Sequence, residues 1–225
     1  MKVKAKHVVF LIIGLATLYV MYHNERFVID PENPAWLRYE SFKWWLLPHA
    51  VFGTIVLLFA PFQFSDRIRK RFTGAHRVMG RLYVLGCFVL APTGAYIQYF
   101  QERFGAPRSF TILAVVDATL LIGTTTLAGL FAFRRKIAVH RQWAIRSYAV
   151  ALVFIAARLT LGLTGLEAYG VEMVQAVIWS CLVFSVVLGD VAIHWRDITS
   201  AFSRSTKPVV THTPRVPEPI VRRAA

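Results

Sequence analysis

The chain has 225 residues, of which 56% are hydrophobic and only 17% are charged, and its formal net charge is +14. Soluble domains usually carry more charge and fewer apolar residues than this. Several long stretches are nearly free of charge, which is typical of an integral membrane protein. The basic residues lie mainly beside those stretches, where they set topology and meet anionic lipid head groups, so the positive charge does not indicate a nucleic-acid partner.

Six apolar segments are long enough to cross a bilayer, which takes about 20 predominantly apolar residues per helix. We predict an all-α polytopic bundle with six transmembrane helices at residues 7–22, 44–64, 80–100, 110–133, 143–163 and 171–195. The first segment follows three lysines and is not followed by a small-residue cleavage site, so we interpret it as a retained signal anchor. The long connection after it, residues 23–43, is expected to form a small cap.

Lysine and arginine are distributed asymmetrically among the connections. The N-terminus and the connections after the second and fourth helices are basic, whereas those after the third and fifth are poor in both residues. Because cytoplasmic loops carry the excess of positive charge, we expect both termini in the cytoplasm. The six-helix domain is expected to cover residues 1–202, and the basic, proline-containing tail at 203–225 is expected to be disordered and cytoplasmic.

The cysteines and the common catalytic motifs give no sign of an enzyme. Cys87 and Cys181 both lie inside apolar segments, and the sequence contains no CxxC or Cys/His ligand spacing. We interpret both as buried, reduced packing residues. The sequence also contains no GxSxG, Walker or GxGxxG motif, so we assign no catalytic residue.

Three ionisable side chains fall at similar depth in the outer third of the predicted spans: His49, Asp117 and Arg158. Insertion of an Asp or Arg at the centre of a span costs about 2.5 to 3.5 kcal/mol, which pairing or a wet cavity offsets. Asp117 and Arg158 have opposite charge, and we expect them to pair. The three residues then define either an outer polar pocket that binds a ligand or relays protons, or a structural ion pair with His49 bonded to a neighbour.

Two similar stretches, "AHRVMGRLYV" and "VHRQWAIRSYAV", lie at the inner mouths of the third and fifth predicted spans. His76 and His140 have equivalent depths on helices that run in the same direction, and Gly80 leaves room for a flat macrocycle or a close helix. A b-type haem takes two axial ligands, usually histidines, from facing helices. The residues predicted to bind haem are His76 and His140 as axial ligands, with Arg81 and Arg146 for the propionates.

The same residues have two other interpretations. They fit the start of an interfacial helix, whose arginines bind lipid phosphate and whose Tyr83, Trp143 and Tyr148 lie at the membrane surface. They also allow a metal site, although no local spacing such as HxxxH or HExxH supports one. The candidate metal ligands are His76, His140, Asp190 and His194.

Three segments, "LPHAVFGTIVLLFAPFQF", "HRVMGRLYVLG" and "VHRQWAIRSYAVALVFIAARL", resemble the bacterial predicted-membrane-protein family known as domain of unknown function 2306. The resemblance covers residues 44–195 and implies a multi-pass protein of the bacterial inner membrane. Its recurring positions correspond to His49, His76, Arg77, Gly80, Arg81, Tyr83, His140, Arg141, Trp143, Arg146, Tyr148 and Arg158. It implies no activity, and the similarity to di-haem membrane cytochromes is an analogy of fold only.

Two hypotheses about function follow from the sequence. The first is a b-type haem or metal-binding bundle in membrane electron transfer. The second is a non-enzymatic transport, assembly or lipid-interacting membrane protein, in which Asp117 and Arg158 form a structural pair.

Overall fold

Six helices are long and apolar enough to cross a membrane in the computed structural model, which describes residues 5–204 and the side chains of residues 7–202. They cover His7–Asn24, Ala35–Gln63, Thr73–Glu102, Arg108–Phe133, Ile137–Thr164 and Val171–Phe202. The described residues contain no strand. The prediction of an all-α bundle with six transmembrane helices is therefore confirmed.

The helices follow one another closely along the chain. The α-helices are α1 (Ala5–Asn24), α2 (Ala35–Tyr39), α3 (Lys43–Gln63), α4 (Asp66–Arg71), α5 (Thr73–Glu102), α6 (Arg108–Phe133), α7 (Ile137–Ala151), α8 (Val153–Thr164) and α9 (Val171–Arg204). Short 3-10 helices occupy Arg26–Val28, Glu40–Phe42 and Leu166–Tyr169. The fifth predicted span consists of α7 and α8, which are separated only by Leu152.

Several helices extend beyond the boundaries predicted from hydropathy. Helix α5 begins at Thr73 instead of residue 80, α7 begins at Ile137 instead of 143, and α9 continues to Arg204 instead of ending at 195. Hydropathy marks the hydrocarbon layer, whereas a helix continues through polar residues as long as its backbone stays bonded. His76 and His140 therefore lie within the first turns of their helices. The predicted tail lies outside the described residues from 205 onward.

Residues 23–43 fold into short helical turns held by aromatic side chains. The ring of Phe27 lies 5.1 Å from those of Trp36 and Tyr39. Phe42 continues this contact towards the bundle, with its ring 6.1 Å from that of Phe100 near the end of α5. This segment is therefore a compact cap on the outer ends of α3 and α5.

Helix α5 is packed between α3 and α6, and α6 packs in turn on α7. Helix α1 packs on α8 and, less extensively, on α3. The hydrophobic core lies where these helices meet, and its fully buried side chains include Val56 and Cys87. The order of packing places one face of α5 towards the interior along most of its length.

The chain divides into two compact units after Ile193. The first unit contains the packing described above. In the second, the described residues continue α9 to Arg204, and His194 Nδ1 lies 3.7 Å from Asp197 Oδ2 within the same helix.

Candidate functional site

The two histidines of the repeated stretches lie near the starts of α5 and α7. The hydroxyls of Tyr83 and Ser147 are hydrogen-bonded at 2.8 Å, which shows where the two helix faces meet. His76 precedes Tyr83 by seven residues and His140 precedes Ser147 by seven. Seven residues are close to two helical turns, about 10 Å, so each histidine lies on the same face at the inner end.

The ring of His140 is oriented by the neighbouring helix. Its Nδ1 lies 2.8 Å from the carbonyl oxygen of Ala128 in α6. Because a carbonyl oxygen only accepts, Nδ1 carries the hydrogen, and Nε2 of the neutral ring is free to bind a metal. A second-shell bond of this kind is usual for metal-ligating histidines. His76 is less constrained, since its buried Nδ1 has no hydrogen-bond partner among the described residues.

Gly80, one turn further into the membrane than His76, is approached by the side chain of Gln63 at the end of α3. A Cβ at position 80 would lie 3.3 Å from Gln63 Oε1. The sequence predicts that Gly80 leaves room either for a flat macrocycle or for a close helix. The structure shows the close approach of a neighbouring helix. The buried Nε2 of Gln63 has no partner within residues 7–202, and the same is true of the hydroxyl of Tyr148.

A buried polar cluster joins α5, α6 and α7 above the histidines. Ser147 Oγ lies 2.7 Å from Thr125 Oγ1 as well as 2.8 Å from the Tyr83 hydroxyl. Cys87 packs in the same core cluster as Tyr83. Thr125, Ser147 and Cys87 are fully buried. The feature of the sequence that indicates this cluster is the presence of hydroxyl residues inside the apolar spans.

The placement of Tyr83 and Tyr148 at the membrane surface is wrong. Tyr83 is only 9% exposed and Tyr148 only 5%. Both helices begin earlier than hydropathy indicated, so each tyrosine lies about three turns inside its helix. Their rings therefore pack in the bundle core, where Tyr148 contacts the ring of Phe64 at 5.8 Å.

Three arginines near the inner mouth are held by carboxylates. Arg146 Nε donates to Asp190 Oδ1 at 2.8 Å, and its guanidinium lies 4.8 Å from the Trp143 ring centroid. Arg69 and Arg141 both donate to Asp66 Oδ1, at 2.9 and 3.1 Å. Of the two arginines predicted for propionates, Arg146 is thus engaged and Arg81 is exposed.

The structure does not assemble the four candidate metal ligands. The carboxylate of Asp190 is bonded to Arg146, and His194 lies beside Asp197. Across the described part of the chain, no three His, Cys, Asp or Glu side chains are grouped as ligands for a metal ion.

In the outer third, His49 is bonded to the neighbouring helix. Its Nδ1 lies 3.0 Å from the carbonyl oxygen of Leu90 and 3.4 Å from Thr93 Oγ1. The ring lies so close to Gly94 that a Cβ there would approach His49 Cε1 to 2.7 Å. This arrangement corresponds to the structural alternative, in which His49 is bonded to a neighbour.

The expected ion pair of Asp117 and Arg158 is not formed. Oδ1 of Asp117 is buried and has no hydrogen-bond partner in the described chain. The guanidinium of Arg158 lies 5.3 Å from the ring centroid of Phe154 instead. The physical reason is the packing order: α6 carries Asp117 and packs on α5 and α7, whereas α8 carries Arg158 and packs on α1.

Arg158 acts electrostatically on Glu25, a residue that the sequence did not single out. Glu25 follows the last residue of α1, and burial raises the pKa of its carboxyl to about 6 while the positive charge of Arg158 lowers it.

Two cavities lie near the outer ends of the helices. One, of about 210 Å³, is lined mainly by Phe42, Phe100 and Phe104, and the other, of about 290 Å³, lies between α5 and α6 beside Thr111. Neither is lined by His76 or His140. These two cavities are consequently not part of the candidate site at the histidines.

The fold defines a multi-pass helical membrane protein with a histidine in the first turns of two of its helices. A family of predicted membrane proteins, described as DUF2306, matches residues 46–193, which is more than half of the chain. The chain belongs to this family. The matched region contains His49, His76 and His140. No curated protein and no solved structure matches the chain.

Proposed function

We propose that the protein is a b-type haem protein of the bacterial inner membrane that takes part in electron transfer, with His76 and His140 as the axial ligands. The observation that supports this proposal is that His76 and His140 each precede by seven residues one partner of the Tyr83–Ser147 hydrogen bond, which spacing of two turns is compatible with one depth on α5 and α7. Two histidines from facing helices are the usual ligand set of such a haem, which supplies one-electron chemistry when bound.

The surrounding residues fit this role. His140 already donates Nδ1–H to Ala128, which directs Nε2 away from α6. Gly80 contributes no side chain, and the group that lies against it is the flexible side chain of Gln63, which can turn aside without a change of backbone. Arg81 is exposed at the mouth and available to a propionate, whereas Arg146 is already bonded to Asp190.

The test is the visible spectrum of the protein purified in detergent, oxidised and then reduced. We expect a Soret band that shifts on reduction, and we expect His76→Ala and His140→Ala each to abolish the spectrum of the six-coordinate haem. The control is His194→Ala, because His194 is an exposed histidine of α9. The absence of a Soret band after expression with added haem precursor would exclude haem, and its retention in both variants would exclude these two ligands.

A second candidate function is supported by the arginines at the inner mouth. Arg69 and Arg141 share the carboxylate of Asp66, so they retain an excess of positive charge where the helices leave the bilayer. Such charge attracts anionic lipid head groups. If the spectra show no haem, a non-enzymatic role in assembly or lipid interaction is the function that this observation favours.

A further inference from the structure

We propose that the end of α3, together with the parts of α5 and α7 beside it, forms a binding site for an oxyanion, a phosphate or carboxylate group, in which Gln63 and Tyr148 are the binding residues. This inference goes beyond haem binding, because it rests on donor groups of the protein without any cofactor. It assigns a function to two polar groups that the hydrogen bonds of the bundle leave unused.

The first observation is a set of buried polar groups without partners. Gln63 Nε2, Tyr148 Oη and His76 Nδ1 are all buried and make no hydrogen bond to any part of the protein that the structure describes. Most buried polar groups are paired in folded proteins, so three unpaired ones in one region call for an explanation. Tyr148 is only 5% exposed, which keeps its hydroxyl away from bulk water.

The second observation is that two of these groups adjoin one element, the end of α3. The side chain of Gln63, the last residue of α3, lies against Gly80 of α5. Phe64, the next residue of the chain, contacts the ring of Tyr148 at 5.8 Å. The end of α3 is thus close to both the amide and the phenol, and His76 lies one turn from Gly80 along α5.

The third observation is the sign of the charges around this region. A Gln amide nitrogen is a donor only, and a Tyr hydroxyl and a His Nδ1–H donate as well, whereas none of the three groups carries a negative charge. The positive charge of Arg69 also acts on His76. Arg69 and Arg141 share the single carboxylate of Asp66, so that its one negative charge offsets only one of their two positive charges. Donors beside excess positive charge select an anion and disfavour a cation.

An oxyanion can reach this region from two sources, a phospholipid head group at the membrane surface or phosphate dissolved in the cytoplasm. The chemistry of recognition is the same for both, since each offers charged oxygen acceptors to the N–H and O–H donors. The experiment therefore includes both.

The test is the thermal unfolding of haem-free protein in a neutral detergent. One series contains inorganic phosphate, compared with sodium chloride at equal ionic strength, and the other contains short-chain phosphatidylglycerol, compared with phosphatidylcholine. We expect a saturable rise of the unfolding temperature in at least one series. Gln63→Ala and Tyr148→Phe should each weaken the apparent affinity by about tenfold or more, as for the loss of a hydrogen bond to a charged group.

Matched controls come from the outer half of α5, where Gln98→Ala and Tyr96→Phe remove the same chemical groups far from the inner mouth. If Gln63→Ala does not fold, Gln63→Glu supplies a second variant of nearly equal size, whose negative charge should abolish anion binding. Saturation by phosphate indicates a dissolved ligand, and a response to phosphatidylglycerol alone indicates a lipid head group. No response in either series, or equal losses in site and control variants, would overturn the proposal.

The outcome is separable from that of the haem experiment. A protein without a Soret band that still responds to phosphate or phosphatidylglycerol has the anion site and lacks the haem. A protein with a Soret band whose haem-free form shows no response has the haem and lacks the anion site.

Discussion

His49 is fixed by a contact that leaves no space for a larger neighbour. Its Nδ1 is bonded to Leu90 of α5, and its Cε1 occupies the position that a Cβ at residue 94 would approach to 2.7 Å. Glycine at this position therefore allows α3 and α5 to pack closely, as small residues do between membrane helices.

Gly94→Ala should consequently destabilise the protein by about 1 to 3 kcal/mol, the usual cost of overpacking a core. The measurement is unfolding in detergent by heat or denaturant. The control is Gly123→Ala in α6, where nothing lies within 4 Å of the added methyl group. That variant should be neutral or more stable by up to about 1 kcal/mol, since alanine favours a helix over glycine. Equal losses in the two variants would contradict the close contact with His49.

Glu25 predicts a dependence of stability on pH. Its folded-state pKa of about 6 lies above the ordinary value of 4.5, because burial disfavours the charged form. A raised acid pKa means that the contribution of this group to stability is full below about pH 4.5 and is lost as the pH rises through about 6. Glu25→Gln should therefore remove this decline and raise the unfolding temperature at pH 7.

The measurement for Glu25 is the difference between the unfolding temperatures of the wild type and the variant across pH 4 to 8, which cancels the titration of other groups. Glu32→Gln is the control, because Glu32 is exposed in the same cap. A difference that stays constant with pH would show that Glu25 is not the titrating group.

The hydroxyl of Ser147 connects three helices. It is bonded to Tyr83 of α5 and Thr125 of α6 while it lies on α7. Ser147→Ala leaves two buried hydroxyl groups without this partner, which should cost about 1 to 3 kcal/mol of unfolding free energy. Ser180→Ala is the control, since Ser180 is exposed and bonds only to the carbonyl of Ala176 in its own helix. Similar stabilities of the two variants would show that the cluster contributes little.

The existence of each helix was predictable, but the contacts between helices were not. Hydropathy located six spans because apolar length is a local property of the sequence. The pairing of Asp117 with Arg158 was inferred from charge and depth alone, and it fails because α8 packs on α1 while α6 packs on α5 and α7. Which helices become neighbours is decided by the whole bundle. The equal spacing of His76 and His140 from Tyr83 and Ser147 can be read from the sequence, whereas a shared ligand of the two histidines stays a prediction.

For the whole molecule, the distribution of basic residues makes the orientation a testable prediction. Arg103 and Lys136 are exposed residues on successive connections, which should lie on opposite sides of the membrane. In a variant with alanine at Cys87 and Cys181, Arg103→Cys should react with a membrane-impermeant maleimide on intact cells. Lys136→Cys should react only after lysis. The reverse pattern would place both termini outside, and reaction of both before lysis would contradict the number of spans.

The N-terminal helix has a consequence for how the protein is made. Val20 of α1 is fully buried against a cluster that includes Leu57 and Ile155, although α1 precedes the region that matches the family. Ile155 follows Val20 by 135 residues (155 − 20). At a synthesis rate of about 5 to 20 residues per second, these residues emerge roughly 7 to 27 seconds apart. Helix α1 can therefore contact α3 early, but it cannot complete its packing on α8 until that later helix has been synthesised.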